Sequence, residues 1–216
     1  MRHFFISLVI VILCKGAFAQ LANKNKAEIV IDKGILRGNN YSNRYFNFDV
    51  LIPKAWTVIN KKDLLDGFTV QKEILKSERG QTEAEFNKNG DKFFVLLTAS
   101  PNAQTRMPLI MFFTLDLDLD LAHFSETDYL KNYQNTLTKS YKTLDVTFNF
   151  SQIITEKVQG KSFYSFTTTI TRNGLSNYQK VYSTIYRNKF LNIFLNYENN
   201  KENTKGLEFL KKISWK

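Results

Sequence analysis

The sequence predicts an α+β domain in which helices pack on a mostly antiparallel β-sheet. Segments of alternating apolar and polar residues recur after residue 45, and this period of two is typical of half-buried strands. Short turn signals join many of these segments, which favours antiparallel neighbours. Two segments with helical spacing of apolar residues lie among and after them, so helices are expected to cover the sheet.

Length and composition favour one folded domain. The chain has 216 residues, of which 43% are hydrophobic and 23% charged, as in ordinary globular proteins. With 9 Gly and 3 Pro it lacks the composition of a linker array or a disordered chain. We interpret residues 20–40, which are polar and without clear periodicity, as a leader or first strand, and residues 41–216 as a single domain.

The first 19 residues have the pattern of a signal peptide. A short basic start precedes an apolar stretch at residues 4–13, which is too short to span a bilayer comfortably. Residues 17–19 are Ala-Phe-Ala, the small-x-small pattern of a signal-peptidase site. We therefore expect a secreted or periplasmic protein with no transmembrane segment after cleavage.

Cys14 is the only cysteine in the sequence and lies inside the predicted signal. The mature chain is therefore expected to have no disulfide, thiol nucleophile or thiolate metal site. A lipid anchor at Cys14 is an alternative interpretation, but Leu13 is bulky for the position before a lipidated cysteine.

The strand pattern begins with alternation from Phe46 to Ile52, which Pro53 ends. Residues 93–97 and 109–121 predict two more strands, and residues 60–92 give an ambiguous pattern. Ser125 is a good N-cap for a helix that carries apolar residues at helical spacing.

A four-stranded meander is predicted between residues 146 and 197. Its strongest signal is Asn173 followed by Gly174, because a type I′ hairpin turn requires positive φ at both positions. A last helix is predicted over residues 201–213.

Residues 41–56, YSNRYFNFDVLIPKAW, resemble the opening of PsbP-like domains, where an aromatic strand precedes a proline and a tryptophan at this spacing. The end is similar too, with Tyr197-Glu198 before the last helix and Ile213-Ser214-Trp215 after it. The resemblance covers residues 41–216 and implies an antiparallel sheet packed between helices, an α/β/α sandwich. It also implies a binding or assembly factor rather than an enzyme, and it carries over no functional residue.

The formal net charge of +10 raises the question of a nucleic-acid partner. The basic residues are dispersed apart from a few lysines near residue 216, and no nucleic-acid-binding motif accompanies them. We therefore predict no nucleic-acid partner.

Three acidic residues, Asp116, Asp118 and Asp120, alternate with leucines and are the candidate metal ligands. The segment departs from a calcium-binding EF-hand, since Leu121 stands where the loop needs glycine. We interpret the row as a solvated strand face and keep a metal site as the alternative. His123 is interpreted as a surface or capping residue, and we predict no catalytic residue and no cofactor.

Four tyrosines on predicted strands form the candidate ligand or partner surface, since aromatic side chains are frequent at binding sites. They are Tyr164, Tyr178, Tyr182 and Tyr186. The alternative is that they are half-buried sheet residues, because strands favour aromatics.

These observations lead us to expect an exported, non-catalytic domain of the bacterial envelope that binds a partner protein or a small ligand. The alternative is an envelope hydrolase whose site leaves no motif in the sequence. A hydrolase is expected to have a deep pocket with clustered titratable groups, whereas a binding module is expected to have a shallower patch.

The signal peptide gives the first prediction. When the full chain is expressed in a bacterial host, the exported protein is expected to begin at Gln20, because cleavage follows Ala19. N-terminal sequencing and intact mass of the exported protein measure this, and a protein that starts at a lipid-modified Cys14 would contradict it.

Overall fold

The computed structural model describes residues 33–59, 93–101, 107–115, 125–140 and 145–216. These residues form two helices, α1 (Glu126–Ser140) and α2 (Asn200–Leu210). Of the described residues, 55% are in strands and 19% in helices, so sheet packing determines the architecture. The strands are β1 (Ile35–Arg37), β2 (Asn40–Asn43), β3 (Phe48–Leu51), β4 (Thr57–Val58), β5 (Phe93–Ser100), β6 (Leu109–Leu115), β7 (Thr147–Phe150), β8 (Ile154–Val158), β9 (Lys161–Arg172), β10 (Leu175–Tyr186), β11 (Lys189–Tyr197) and β12 (Ile213–Trp215).

The larger sheet is antiparallel, in the order β4-β5-β6-β11-β10-β9-β7. Strand β8 also pairs with β9. Along the same edge of β9, β8 pairs with residues 161–165 and β7 pairs with residues 168–171. Tight turns link the central strands: Asn173 and Gly174 join β9 to β10 with φ of 51° and 73°. Both values match the type I′ turn that the sequence predicts.

The smaller sheet has four antiparallel strands in the order β1-β2-β3-β12. Strand β12 follows α2 and places Ile213 opposite Val50 and Trp215 opposite Phe48. The last described residues therefore lie beside one of the first strands.

The first core lies between α1 and one face of the larger sheet. Tyr129 stacks on Phe190 with ring centroids 4.4 Å apart, and Tyr133 lies 5.7 Å from Phe194. Ser125 caps this helix as predicted, since its hydroxyl accepts a hydrogen bond from the backbone N–H of Asp128 at 3.2 Å.

The second core lies on the opposite face of the larger sheet, beneath the smaller sheet and α2. Phe48 of the smaller sheet stacks on Phe112 of the larger sheet, with ring centroids 5.4 Å apart. Trp56 is half-buried, and its ring centroid lies 4.5 Å from that of Phe209 in α2. Aromatic side chains from both sheets and the helix thus share one apolar layer.

The predicted fold class, an α+β sandwich with one sheet packed between helices, is wrong. Most of the described residues lie in two antiparallel sheets, and a second sheet, not a helical layer, forms much of the cover on one face. The prediction failed because β1, β2 and β12 are only three or four residues long. Such strands show too few alternations to be separated from loops in a sequence.

Several predicted elements are present with changed bounds. The predicted strand from Phe46 to Ile52 is shortened to β3, because residues 44–47 form a turn. The meander contains β8 in addition to the four expected strands, and the last helix ends at Leu210, ahead of β12. The signal segment with Cys14, residues 60–92 and the end of the strand predicted over residues 109–121 lie outside the described residues.

Neither described helix combines the length and hydropathy that crossing a bilayer requires.

The close approach of α2 to the larger sheet gives the second prediction. A Cβ on Gly206 would overlap the methyl groups of Leu195, which is completely buried. Gly206→Ala is therefore expected to lower the free energy of unfolding by about 1–3 kcal/mol through overpacking, less a helix-propensity gain of up to about 1 kcal/mol.

Urea unfolding of Gly206→Ala and of its neighbour Lys205→Ala measures this effect. Lys205 is exposed on the same helix, so its variant controls for the added alanine. Equal stabilities of the two variants would show that α2 does not depend on this contact.

Candidate functional site

The outer face of the smaller sheet is built by the alternation of its strands. Tyr41, Phe48 and Val50 are buried against the second core. Their strand neighbours Ser42 and Asp49, which pair with each other across β2 and β3, therefore point to the opposite side.

A cleft of about 280 Å³ opens on this outer face. Three cationic side chains and one carboxylate line it, together with amides, a hydroxyl and one apolar side chain. The lining residues are Ile35, Arg37, Asn40, Ser42, Asn43, Arg44, Asn47, Asp49 and Lys216.

Asp49 is paired inside this cleft. Its Oδ2 lies 2.6 Å from Nζ of Lys216. The hydrogen bond from Lys216, followed by one from Ser42, holds the pKa of the Asp49 carboxyl below its ordinary value. The carboxylate therefore stays ionised over the neutral range and holds the lysine at the wall of the cleft.

The turn at residues 44–47 forms one wall of the cleft. Asn43 accepts a hydrogen bond from the backbone N–H of Phe46 at 2.9 Å, which fixes the start of the turn. Asn47 has a φ of 57°, a left-handed conformation that asparagine tolerates. The side-chain amide of Asn47 donates a hydrogen bond to the backbone oxygen of Lys216. The backbone carbonyl of Asn47 accepts one from the backbone N–H of Lys216 at 2.9 Å.

The lining has an excess of positive charge. Lys216 is neutralised by Asp49, while Arg37 and Arg44 are exposed on the same cleft. Guanidinium groups bind carboxylates and phosphates through paired, charge-assisted hydrogen bonds. The chemistry of the cleft therefore suits an anionic ligand group.

Apolar surface lies beside this charge. Ile35 and Leu51 are 49% and 57% exposed, and both lie on the smaller sheet. Ile35 also lines the cleft. A ligand that places an acid in the cleft can therefore cover aliphatic side chains at the same time.

The structure does not bring the four predicted tyrosines together. Tyr178, Tyr182 and Tyr186 lie on the face of β10 that belongs to the second core. Tyr164 pairs in register with Ser183 and packs against the first core, on the opposite face. The three tyrosines of β10 thus share one face of the sheet, and Tyr164 is separate from them.

Each tyrosine of β10 already has protein contacts. Tyr182 is buried, and Tyr178 stacks on Tyr197 at 5.2 Å. Tyr186 receives Nζ of Lys161 at 4.3 Å from its ring centroid. The binding role of the four tyrosines remains a prediction.

Burial controls the ionisation of this face. It raises the pKa of Tyr182, and the nearby charge of Glu156 raises it further. Burial also lowers the pKa of Lys161. Glu156 accepts hydrogen bonds from Lys180 and Ser165, both at 2.8 Å, so it is held in a half-buried ion pair.

The predicted metal ligands Asp116, Asp118 and Asp120 lie outside the described residues, as does His123. Within the residues that the structure does describe, no three histidine, cysteine or acidic side chains group as a metal site would require.

The cleft is the feature that the sequence analysis missed. Its residues come from positions 35–49 and 216, which meet only because β12 pairs with β3. The basic character of the end of the chain was visible in the sequence, but its partner strand was not.

No family model and no curated protein matches the chain. Among solved structures, it is similar to the solution structure of cyanobacterial PsbP (CyanoP) from Synechocystis sp. PCC 6803, with a TM-score of 0.51 and 12% identity. The match covers 89% of this chain and 98% of that chain.

The chain has a PsbP-like fold. The resemblance predicted from residues 41–56 is therefore confirmed at the level of the fold. At 12% identity the PsbP-like fold is all that this similarity establishes.

The pairing of Asp49 with Lys216 gives the third prediction. Because the folded-state pKa of Asp49 is lowered, its contribution to stability is present above the unfolded-state pKa, near 3.9. That contribution is lost as the pH falls through the folded-state pKa. The stability gap between wild type and Asp49→Asn is therefore expected to be largest near neutral pH and to narrow below about pH 4.

Thermal unfolding of both proteins between pH 7 and pH 3 measures this gap. Asp145→Asn, at an exposed position outside both cores, controls for the loss of one acidic charge. A gap for Asp49→Asn that stays constant with pH would contradict the role of the ionised pair.

Proposed function

We propose that this chain is an exported, non-catalytic binding domain of the bacterial envelope, and that its ligand is an acidic segment of a partner protein. The observation that carries the proposal is the cleft on the smaller sheet, which is lined by three cationic residues, Arg37, Arg44 and Lys216, and by a single carboxylate. The signal-like residues 1–19 support export.

Charge complementarity favours an acidic ligand. With Asp49 engaged by Lys216, an incoming carboxylate can meet the exposed guanidinium of Arg37. Such surface charges act mainly on association rate and specificity, and salt weakens them. The interaction is therefore expected to be of moderate affinity and sensitive to ionic strength.

The surroundings of the cleft favour a peptide over a small acid. Ile35 and Leu51 add exposed aliphatic surface next to the charge. In the described part of the chain, β1 is also an edge strand, and such edges can pair with an extended segment. A peptide of alternating acidic and apolar residues would use all three features.

Arg37 gives the fourth prediction. Arg37→Glu is expected to weaken binding of a fluorescent peptide of alternating glutamate and valine by about tenfold or more, which equals about 1.4 kcal/mol of binding free energy. Fluorescence anisotropy measures the dissociation constant at low and at physiological salt.

The matched control is Lys131→Glu, which makes the same charge change on the exposed side of α1. That helix packs against the other face of the larger sheet, so this variant is expected to bind as wild type does. Equal weakening by both variants would reduce the effect to net charge, and no wild-type binding would overturn the proposal. Displacement of the peptide by citrate at equal concentration would identify a small acid as the ligand instead.

A further inference from the structure

Asn192 is a polar residue in an apolar core. It lies on the fully buried strand β11, between Phe190 and Phe194 on the face that packs against α1. Its side chain has no solvent exposure, and neither Oδ1 nor Nδ2 has a hydrogen-bond partner among the residues that the structure describes. An amide has one acceptor and two donors, and burying them unpaired is strongly unfavourable.

Ser183 adds a second unpaired group beside it. Ser183 and Asn192 are cross-strand partners in the β10–β11 register. Ser183 is also fully buried, and its hydroxyl has no partner in the described part of the molecule. Directly opposed residues have Cβ atoms about 4.5–5.5 Å apart, a span that one bridging molecule can join by two hydrogen bonds.

The ring contacts of α1 place these groups beneath the helix. Tyr129 stacks on Phe190, before Asn192, and Tyr133 lies against Phe194, after it. The two tyrosines are one helical turn apart, or about 6 Å along the axis. Asn192 therefore lies between these two ring contacts, on the face of the sheet that α1 covers.

Another polar group of the same core shows the contrast. The Tyr133 hydroxyl donates to Oε1 of Gln179 at 2.7 Å, and Nε2 of Gln179 donates to Oδ1 of Asn196 at 2.8 Å. That chain joins three polar side chains directly and leaves only Nδ2 of Asn196 without a partner, whereas the side chains of Asn192 and Ser183 bond to nothing in the described part of the chain. The Asn192 amide and the Ser183 hydroxyl therefore remain available to bind another molecule.

We propose that Asn192 and Ser183 form a buried binding site for a small neutral molecule that both donates and accepts hydrogen bonds. Ordered water is its simplest occupant, since buried waters bridge unpaired polar groups in this way. The neighbours of the two residues on this face of the sheet are mostly apolar, namely Val181, Ile185, Phe113, Phe190 and Phe194, and Tyr164 opposite Ser183 adds one hydroxyl. None of these neighbours carries a charge, so desolvation disfavours a charged occupant, and the Glu126 carboxylate at Ile185 further opposes an anion.

A crystal structure of the full chain at about 1.5 Å resolution or better tests this site. Electron density is expected within about 2.7–3.2 Å of both the Asn192 amide and the Ser183 hydroxyl. A dry gap, an amide that bonds to another protein group, or a charged occupant would overturn the proposal.

Two further measurements distinguish an organic occupant from water. Mass spectrometry of the supernatant from acid-precipitated protein identifies an organic occupant if a neutral compound appears at one equivalent, and water if none does. In solution, a cross-relaxation signal between the Asn192 side-chain amide protons and a long-lived water is expected in the water case.

The variant pair Ser183→Ala with Asn192→Leu is expected to abolish the density and to leave α1 in place. Ser162→Ala with Asn149→Leu makes the same changes at exposed positions of β9 and β7 and is expected to retain the density. If the buried pair fails to fold, the wild-type crystal density and solution signal decide the matter alone.

Discussion

Every residue of β11 is buried, so this central strand requires a cover on each face. On one side, α1 supplies it with the rings of Tyr129 and Tyr133. On the other, the smaller sheet and α2 cover Ile193 and Leu195. Gly206 allows α2 to lie directly on Leu195, and the smaller sheet must then fill the remaining apolar surface. The position of the cleft follows from this arrangement, because it occupies the outer side of that cover.

Local chemistry explains which parts of the fold were predictable from sequence. The turn at Asn173 and Gly174 and the cap at Ser125 depend on a few adjacent residues, and both are present as expected. The smaller sheet depends instead on pairing between short strands far apart in sequence. No local pattern in three or four residues specifies such a partner. The error in fold class and the missed cleft have this single cause.

The separation of Tyr164 from the other candidate tyrosines could have been found from sequence. A two-residue turn at Asn173 and Gly174 places residue 172 opposite residue 175, and the same register places Tyr164 opposite Ser183. Opposed residues share a face of the sheet, and neighbours along a strand alternate. Tyr164 therefore falls on the face of Ser183, opposite to Tyr182. The predicted hairpin already fixes the register that separates Tyr164 from Tyr182, whereas the number of tyrosines does not.

The two proposed sites differ in how water contributes to them. At the outer cleft, solvent competes with the ligand for Arg37, so recognition depends on ionic strength and on adjoining aliphatic contact. Beneath α1, Asn192 and Ser183 are removed from bulk solvent, so even one molecule bound there becomes part of the packed core. The first site is suited to reversible recognition, and the second to stabilising a strand that carries polar residues through the centre of the fold.

The pairing of residue 213 with residue 50 has a consequence for biosynthesis. Strand β3 emerges from the ribosome well before β12, so it has no partner on its β12 side until residues 213–215 have been translated. Closing so long a loop adds a conformational entropy cost, and distant pairings slow folding. Until then, Phe48 and Val50 lack part of their final cover, and nascent chains are aggregation-prone while such apolar surface is exposed. The cationic cleft therefore forms late in folding, only after Lys216 has left the exit tunnel.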